Sequence, residues 1–133
     1  MIYCTYCSAL KNPASGELPA VRRYLSERIE IVATAATQRG HGFLILSGKY
    51  GLLHPDTPIP YYDHLLQDHE VTAHSGVVCE QLRALGVRKL VYFTRPPTTD
   101  PNLQSYLDCI RRAVAAAGAE FEYVELDPEV NNT

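Results

Sequence analysis

Long apolar runs and cysteines are scarce in this sequence of 133 residues. The longest strongly apolar runs, such as residues 43–46, are far too short to cross a bilayer. A basic N-terminal segment followed by a hydrophobic stretch is also missing, so we expect a cytoplasmic protein with no membrane segment. Four cysteines are too few for a disulfide scaffold. Free thiols are therefore expected.

The sequence also lacks a large excess of charge. A formal net charge of -3 argues against non-specific adhesion to nucleic acid through global charge, but it allows a local basic site. The apolar share of 46% and the charged share of 20% are ordinary for a globular protein. A chain of this length fits one domain. We predict one α/β domain over residues 1–126 and a flexible tail over residues 127–133.

Hydrophobic periodicity predicts strands that alternate with helices. Strands are expected over residues 2–7, 43–46, 89–93 and 121–126. Helices are expected over residues 19–38, 71–85 and 103–117. Between the second strand and the second helix lies a long irregular connection, residues 47–68, which contains three prolines. This order predicts a three-layer α/β/α sandwich with a mostly parallel four-stranded sheet.

Each of the first three predicted strands is followed by a hydroxyl and a cation. In open parallel sheets, ligands bind outside the carboxyl ends of the strands. Hydroxyls, small residues with exposed N–H groups and cations together favour an anion site, most simply a phosphate site. The alternative is that surface loops are polar for other reasons. The residues concerned are Ser8 and Lys11, then Ser47, Gly48 and Lys49, then Thr94 and Arg95.

The long connection adds aromatic and titratable side chains to the same region. Aromatic rings beside cations are what a nucleobase and its phosphate need. The alternative is that the tyrosines fix an irregular loop to the body of the protein. Residues 47–51 lack the spacing of either nucleotide-binding fingerprint, so we expect no cofactor. The side chains in question are Tyr50, Tyr61 and Tyr62, with His54, Asp56 and Asp63.

Metal binding is not expected. Cys4 and Cys7 form a C-x-x-C motif, but residues three apart on a strand point to opposite faces and no second cysteine pair is present. Three histidines recur every five residues from His64, a spacing that does not place them on one helix face. Asp100, which precedes a proline, is typical of a turn and helix cap.

Residues 46–56, Leu-Ser-Gly-Lys-Tyr-Gly-Leu-Leu-His-Pro-Asp, are followed by Ile59, Tyr62 and Asp63. This pattern resembles the signature shared by the YaaA-like peroxide-stress proteins and a set of short bacterial domains. The short domains also carry Cys-Ser-x-x-Lys, matched by residues 7–11, and Tyr-x-Ser, matched by residues 24–26. The resemblance covers the first half of the chain. The YaaA-like family itself is longer and has an arginine where Asp63 stands and a proline where Tyr61 stands.

Related domains occur beside enzymes of deazaguanine base exchange, and their sheet layout is similar to that of the uracil-DNA glycosylase superfamily. The resemblance therefore implies nucleobase or nucleic-acid chemistry. Our leading hypothesis is an N-glycosidase, a DNA glycosylase for a modified or damaged base that serves in phage defence or DNA repair. The alternatives are a non-catalytic nucleic-acid-binding stress-response protein and a hydrolase of free nucleotides.

The hypothesis gives each candidate residue a role. Asp63, and after it Asp56, would orient water and stabilise the sugar cation. The expected partner is DNA or a nucleotide, and its base would stack on tyrosine. The central spatial prediction is that three cations meet around one pocket. Those cations are Lys11, Lys49 and Arg95; Ser8, Ser47 and Gly48 would complete the phosphate cradle, and Tyr50, Tyr61 and Tyr62 are the stacking candidates.

Overall fold

A computed structural model describes residues 1–126, so the predicted tail, residues 127–133, lies outside the described residues. A short 3-10 helix at Asp68–Glu70 precedes the third α-helix. In chain order the elements are β1 (Ile2–Tyr6), β2 (Leu18–Pro19), α1 (Ala20–Arg23), α2 (Glu27–Gln38), β3 (Gly42–Ser47), β4 (Gly51–Leu53), β5 (Pro58–Ile59), α3 (Val71–Leu85), β6 (Lys89–Thr94), α4 (Leu103–Ala116) and β7 (Glu120–Glu125).

Strand β1 lies at the centre of the main sheet. Within residues 1–126 this sheet has five strands in the order β4-β3-β1-β6-β7, and β4 alone among them runs antiparallel to its neighbour. Cys4 of β1 is opposite Leu44 on one side and Tyr92 on the other. All three of these side chains are buried. Burial on both faces explains why the central strands are continuous apolar runs with no alternation.

Helices cover both faces of the sheet. Helix α2 packs against β1 and β3, whereas α3 and α4 pack against each other and against β4, β6 and β7. The three-layer α/β/α sandwich predicted from the sequence is therefore confirmed. The apolar stripe of α4 is buried on the sheet, and α3 ends where Gly86 adopts a left-handed conformation with φ of 67°.

The prediction of one helix over residues 19–38 was wrong, because the chain forms two helices with a break at Tyr24–Ser26. Backbone bonds to a distant segment cause the break: Leu25 N donates to Leu10 O at 3.0 Å, and Asn12 N donates to Arg23 O at 2.8 Å. Ser26 then begins α2 as its N-cap, since its hydroxyl accepts from Ile29 N at 3.2 Å. The loop after β1 is thereby attached to the α1–α2 junction.

The predicted four-stranded sheet also omitted β4, which lies inside the connection that we expected to be irregular. Gly51 makes this hairpin possible through a φ of 75°, a conformation that other residues rarely adopt. Gln81 of α3 fixes the new strand, because its Oε1 accepts from Leu52 N at 2.7 Å and its Nε2 donates to Tyr50 O at 3.1 Å. Further along, β5 pairs with β2 in a separate two-stranded ribbon.

The strand order places a crevice beside β1. The connection after β1 leads toward β3, whereas the connection after β6, on the other side of β1, leads toward β7. Neighbouring connections that diverge in this way leave a crevice at the carboxyl ends of the strands, where open α/β sheets bind ligands. Among the described residues, a helix with the length and apolar character to cross a membrane was not found.

Candidate active site

A cavity of about 130 Å³ lies at this crevice. It is smaller than the roughly 300–1,000 Å³ typical of sites for drug-sized ligands, so it suits a small group such as one ring or a phosphate. Three segments converge on it: the end of β1 with its loop, part of the long connection, and the start of α4. The lining residues are Tyr6, Cys7, Ser8, Ala9, Lys11, Asp63, His64, Leu65, Asp100, Asn102, Leu103 and Tyr106.

Lys11 is the buried cation of the cavity. Its side chain belongs to a residue that is 8% exposed. The ammonium lies 4.8 Å from the ring centroid of Tyr62 and 5.9 Å from that of Tyr24, and it donates a long hydrogen bond of 3.4 Å to Ala9 O. None of the ion pairs found within residues 1–126 involves Lys11. Because buried charges are normally paired, this ammonium favours an anionic ligand.

The loop that carries Lys11 is held by hydrogen bonds at both of its ends. Ser8 is buried, and its hydroxyl donates to Leu10 O at 2.7 Å, which leaves its oxygen able to accept from a ligand. Arg23 is fully buried and donates to the carbonyl oxygens of Asn12, Ala14 and Gly16 at 2.7, 2.9 and 2.6 Å. Residues 12–16 therefore keep one shape although they form no regular element.

Ser47 supports the turn between β3 and β4. Its hydroxyl oxygen accepts from Lys49 N and Tyr50 N, each at 3.1 Å, and lies 2.8 Å from the hydroxyl of Tyr62. One hydroxyl has one donor and two acceptor positions, so these contacts use its full capacity. The structure thus gives Ser47 and the two N–H groups a role inside the turn, whereas we predicted that Ser47 holds a phosphate.

Gly48 is enclosed by neighbours. A Cβ at this position would lie 2.8 Å from the hydroxyl of Tyr106, 3.0 Å from Leu66 N and 3.2 Å from His64 O. The turn after β3 therefore packs directly on the two segments that form the other walls of the cavity. This close approach explains why glycine is required here.

Tyr62 connects the two lysines. Its hydroxyl is hydrogen-bonded to that of Tyr24, and burial raises the pKa of both hydroxyls, which stay neutral at physiological pH. The Lys49 ammonium lies 5.4 Å from the ring centroid of Tyr50 and 5.7 Å from that of Tyr62, on which Lys11 also rests. The structure therefore brings Lys11 and Lys49 to one ring, but Lys49 is not among the residues that line the cavity in which we predicted it to lie.

The three tyrosines predicted to stack on a base differ in exposure. The Tyr62 residue is 6% exposed, and the ring of Tyr50 packs edge-on against it at a centroid distance of 5.1 Å. Tyr61 is 53% exposed. Tyr61 consequently has the more accessible ring for a base, while Tyr62 serves as a platform for the lysines.

Arg95 was predicted to be the third cation of the pocket, but it is not among the residues that line this cavity. Its charge acts instead on Arg28, whose pKa is lowered by burial and, to a smaller extent, by Arg95. Arg28 is fully buried and donates to Thr5 Oγ1 and Tyr6 O, each at 2.6 Å, and to Cys7 O at 3.1 Å. Arg28 thus fixes the end of β1.

The predicted catalytic aspartates are separated. Asp63 is exposed at the surface and lines the cavity. Asp56 is outside the lining, and its largely exposed carboxylate lies 3.9 Å from His54. In its place the cavity contains Asp100, which we had assigned to a turn; its Oδ1 does accept from Asn102 N at 3.0 Å. In the sequence, the proline that follows Asp100 indicated a turn and a helix cap, and nothing indicated a place for Asp100 in a binding site.

His64 is a further cavity residue that the sequence did not reveal as functional. Its Nε2 lies 3.1 Å from each carboxylate oxygen of Glu70. His74, by contrast, bonds Ser47 O at 2.8 Å. Groups of three or more metal-ligating side chains were not found within residues 1–126. Of the cysteines, Cys7 lies on the cavity wall, where its thiol is 3.8 Å from the hydroxyl of Tyr106.

No protein-family model, curated protein or solved structure matches the chain.

Proposed function

We propose that the chain is a cytoplasmic N-glycosidase that hydrolyses the bond between a sugar and a nucleobase, with DNA that carries a modified or damaged base as its substrate class. One observation carries the proposal: a buried lysine that has no carboxylate partner within residues 1–126 shares a small cavity with an aspartate. The relation to the short bacterial domains and the YaaA-like proteins belongs to the same proposal. The residues that carry this resemblance build the Ser47 turn and the Tyr62 platform.

The charges of the cavity suit the chemistry. Cleavage of a glycosidic bond develops positive charge on the sugar and negative charge on the departing base. Asp63 would stabilise the sugar cation and orient the water. Lys11, with Ser8 beside it, would hold a phosphate of the substrate. The Lys49 ammonium, which lies 5.7 Å from the centroid of the same Tyr62 ring, would bind the next phosphate of a strand.

The size and surroundings of the cavity favour one flipped nucleotide over a broad DNA surface. A cavity of about 130 Å³ accepts one small group, and the rest of the substrate must lie outside it. An enzyme that acts on a duplex base has to extrude the nucleotide and stack its base on an aromatic or apolar side chain. Tyr61 is exposed two positions before Asp63 and can supply that surface. A net charge of -3 also argues against general coating of DNA.

The test is incubation of the protein with modified and unmodified DNA oligonucleotides and free nucleotides, followed by mass spectrometry of freed bases. We expect base release by the wild type. Asp63→Asn should lower the rate by about 10²-fold or more. Asp56→Asn is the matched control, because this exposed aspartate is outside the cavity lining, and it should stay within about twofold of the wild type.

Other outcomes would replace the proposal. Full activity of Asp63→Asn would refute this mechanism. Salt-dependent binding of oligonucleotides without released base or abasic product would identify a nucleic-acid-binding protein. Turnover of free nucleotides while polymer is ignored would identify a nucleotide hydrolase.

A further inference from the structure

The cavity contains an imidazole that is oriented by a carboxylate. His64 lines the cavity, and its Nε2 is within 3.1 Å of both carboxylate oxygens of Glu70. An ionised carboxylate can only accept hydrogen bonds, so Nε2 must be the donor. In the neutral ring this leaves the lone pair on Nδ1. A neutral imidazole whose proton is held on one nitrogen is the arrangement by which enzymes use histidine as a base.

Glu70 is itself fixed in place. It is the last residue of the 3-10 helix, where its Oε1 accepts from Gln67 N at 2.9 Å as part of a capping box. That hydrogen bond, supported by His64, lowers the pKa of Glu70 and keeps it ionised at neutral pH. The backbone of His64 packs closely on the turn after β3, because its carbonyl oxygen would lie 3.2 Å from a Cβ at Gly48.

The neighbouring histidines have other surroundings. His74 bonds the carbonyl of Ser47, and His54 lies beside Asp56 with a side chain that is 63% exposed. Neither lines the cavity of Lys11. The His64–Glu70 pair could cap the 3-10 helix without placing His64 on the cavity wall, next to Asp63 in the sequence. The position of His64 therefore distinguishes it from His54 and His74.

We propose that His64, positioned by Glu70, is the catalytic proton acceptor of this cavity. The assignment rests on the proposed glycosidase function and names the residue that activates its water. The water gives one proton to Nδ1 of His64 while its oxygen forms a bond to the anomeric carbon. The bond from that carbon to the base breaks, and its electron pair goes to the base nitrogen. The base takes one proton from solvent, and His64 returns its own proton to solvent.

The division of work between His64 and Asp63 follows from this step. Asp63 would remain ionised and stabilise the positive sugar, whereas His64 would carry the proton. Glu70 is a positioning residue: it touches neither the sugar nor the base in this arrangement and acts through the tautomer of His64. Loss of Glu70 should therefore affect the rate through the protonation of the ring, and less than loss of the ring itself.

The test compares four proteins in the base-release assay: wild type, His64→Ala, Glu70→Gln and the control His54→Ala. We expect His64→Ala to lose about 10²- to 10⁴-fold in kcat with little change in KM, and His54→Ala to stay within about twofold. Added imidazole should restore part of the His64→Ala rate, which a merely structural loss would not allow. The ¹⁵N spectrum of the wild type should show His64 protonated on Nε2, and Glu70→Gln should alter it.

The outcomes separate the two proposals. Base release by the wild type together with an unchanged rate of His64→Ala would overturn the role of His64 alone. A wild-type ring protonated on Nδ1 would also overturn it, and this measurement does not depend on how the variants fold. A wild type that releases no base from any substrate would overturn the glycosidase function, and the role of His64 with it.

Discussion

Replacement of Lys11 by methionine should stabilise the protein while it removes anion binding. The ammonium of Lys11 is in a residue that is 8% exposed, and taking an ion out of water costs several kcal/mol. Contact with the Tyr62 ring at 4.8 Å offsets about 0.5–2 kcal/mol of this cost, and the 3.4 Å hydrogen bond to Ala9 O offsets little of it. Methionine keeps the contact with the ring and carries no charge. We expect Lys11→Met to gain about 1–3 kcal/mol in the free energy of unfolding.

The assay is urea unfolding, with thermal unfolding as a check, where each kcal/mol should raise Tm by roughly 4 °C. Inorganic phosphate should stabilise the wild type and leave Lys11→Met unaffected, because a ligand stabilises only the state that binds it. Lys49→Met is the control: Lys49 is exposed but lies over the same tyrosine, and its change should be within about 0.5 kcal/mol. Loss of stability in Lys11→Met, or phosphate binding that survives in it, would refute the argument.

Three further predictions concern the supports of the cavity. Gly48→Ala should cost about 1–3 kcal/mol in unfolding free energy, because the new Cβ would lie 2.8 Å from the Tyr106 hydroxyl. Gly76→Ala, in α3, should gain about 0.5–1 kcal/mol, because its Cβ would meet no atom of residues 1–126 within 4 Å. Equal effects in urea unfolding would contradict this. Arg28→Met should cost about 3 kcal/mol or more in the same assay, because two buried carbonyls lose their donor; a neutral result would show that they find other partners. The lowered pKa of Glu70 stabilises the fold above the ordinary pKa of 4.5, and this contribution is lost as pH falls through the lowered value. As the pH falls below 4.5, the stability of Glu70→Gln should therefore decrease less than that of the wild type. Parallel curves of unfolding free energy against pH would argue against the hydrogen bonding of Glu70 with Gln67 and His64.

Elements with a self-contained signal were predictable from the sequence. Helices α3 and α4 carry their own apolar stripes and stop at glycines, so their predicted and observed bounds nearly agree. The break between α1 and α2 was not predictable, because its cause is hydrogen bonding to Leu10 and Asn12, which are distant in sequence from Tyr24. Local periodicity contains no information about such partners.

The candidate site, like the fold, was predictable from the sequence only in part. The rule for strand ends identified the loop with Lys11 and the connection with Asp63, since it depends only on strand order. It did not identify Asp100 or His64, because their places on the cavity wall depend on how α4 and the end of the long connection pack. The separation of Asp56 from Asp63 has a similar cause: β5, which follows Asp56, pairs with β2.

The bonds that Arg23 donates to the carbonyls of Asn12, Ala14 and Gly16 bear on how tolerant the cavity would be toward its ligands. A loop that is already ordered by hydrogen bonds does not have to become ordered when a ligand binds, so binding would cost less conformational entropy than at a flexible loop. The same bonds hold the segment that follows Lys11, so this segment would resist displacement by a bulkier group. Selectivity by size would then originate in a guanidinium that never touches the ligand.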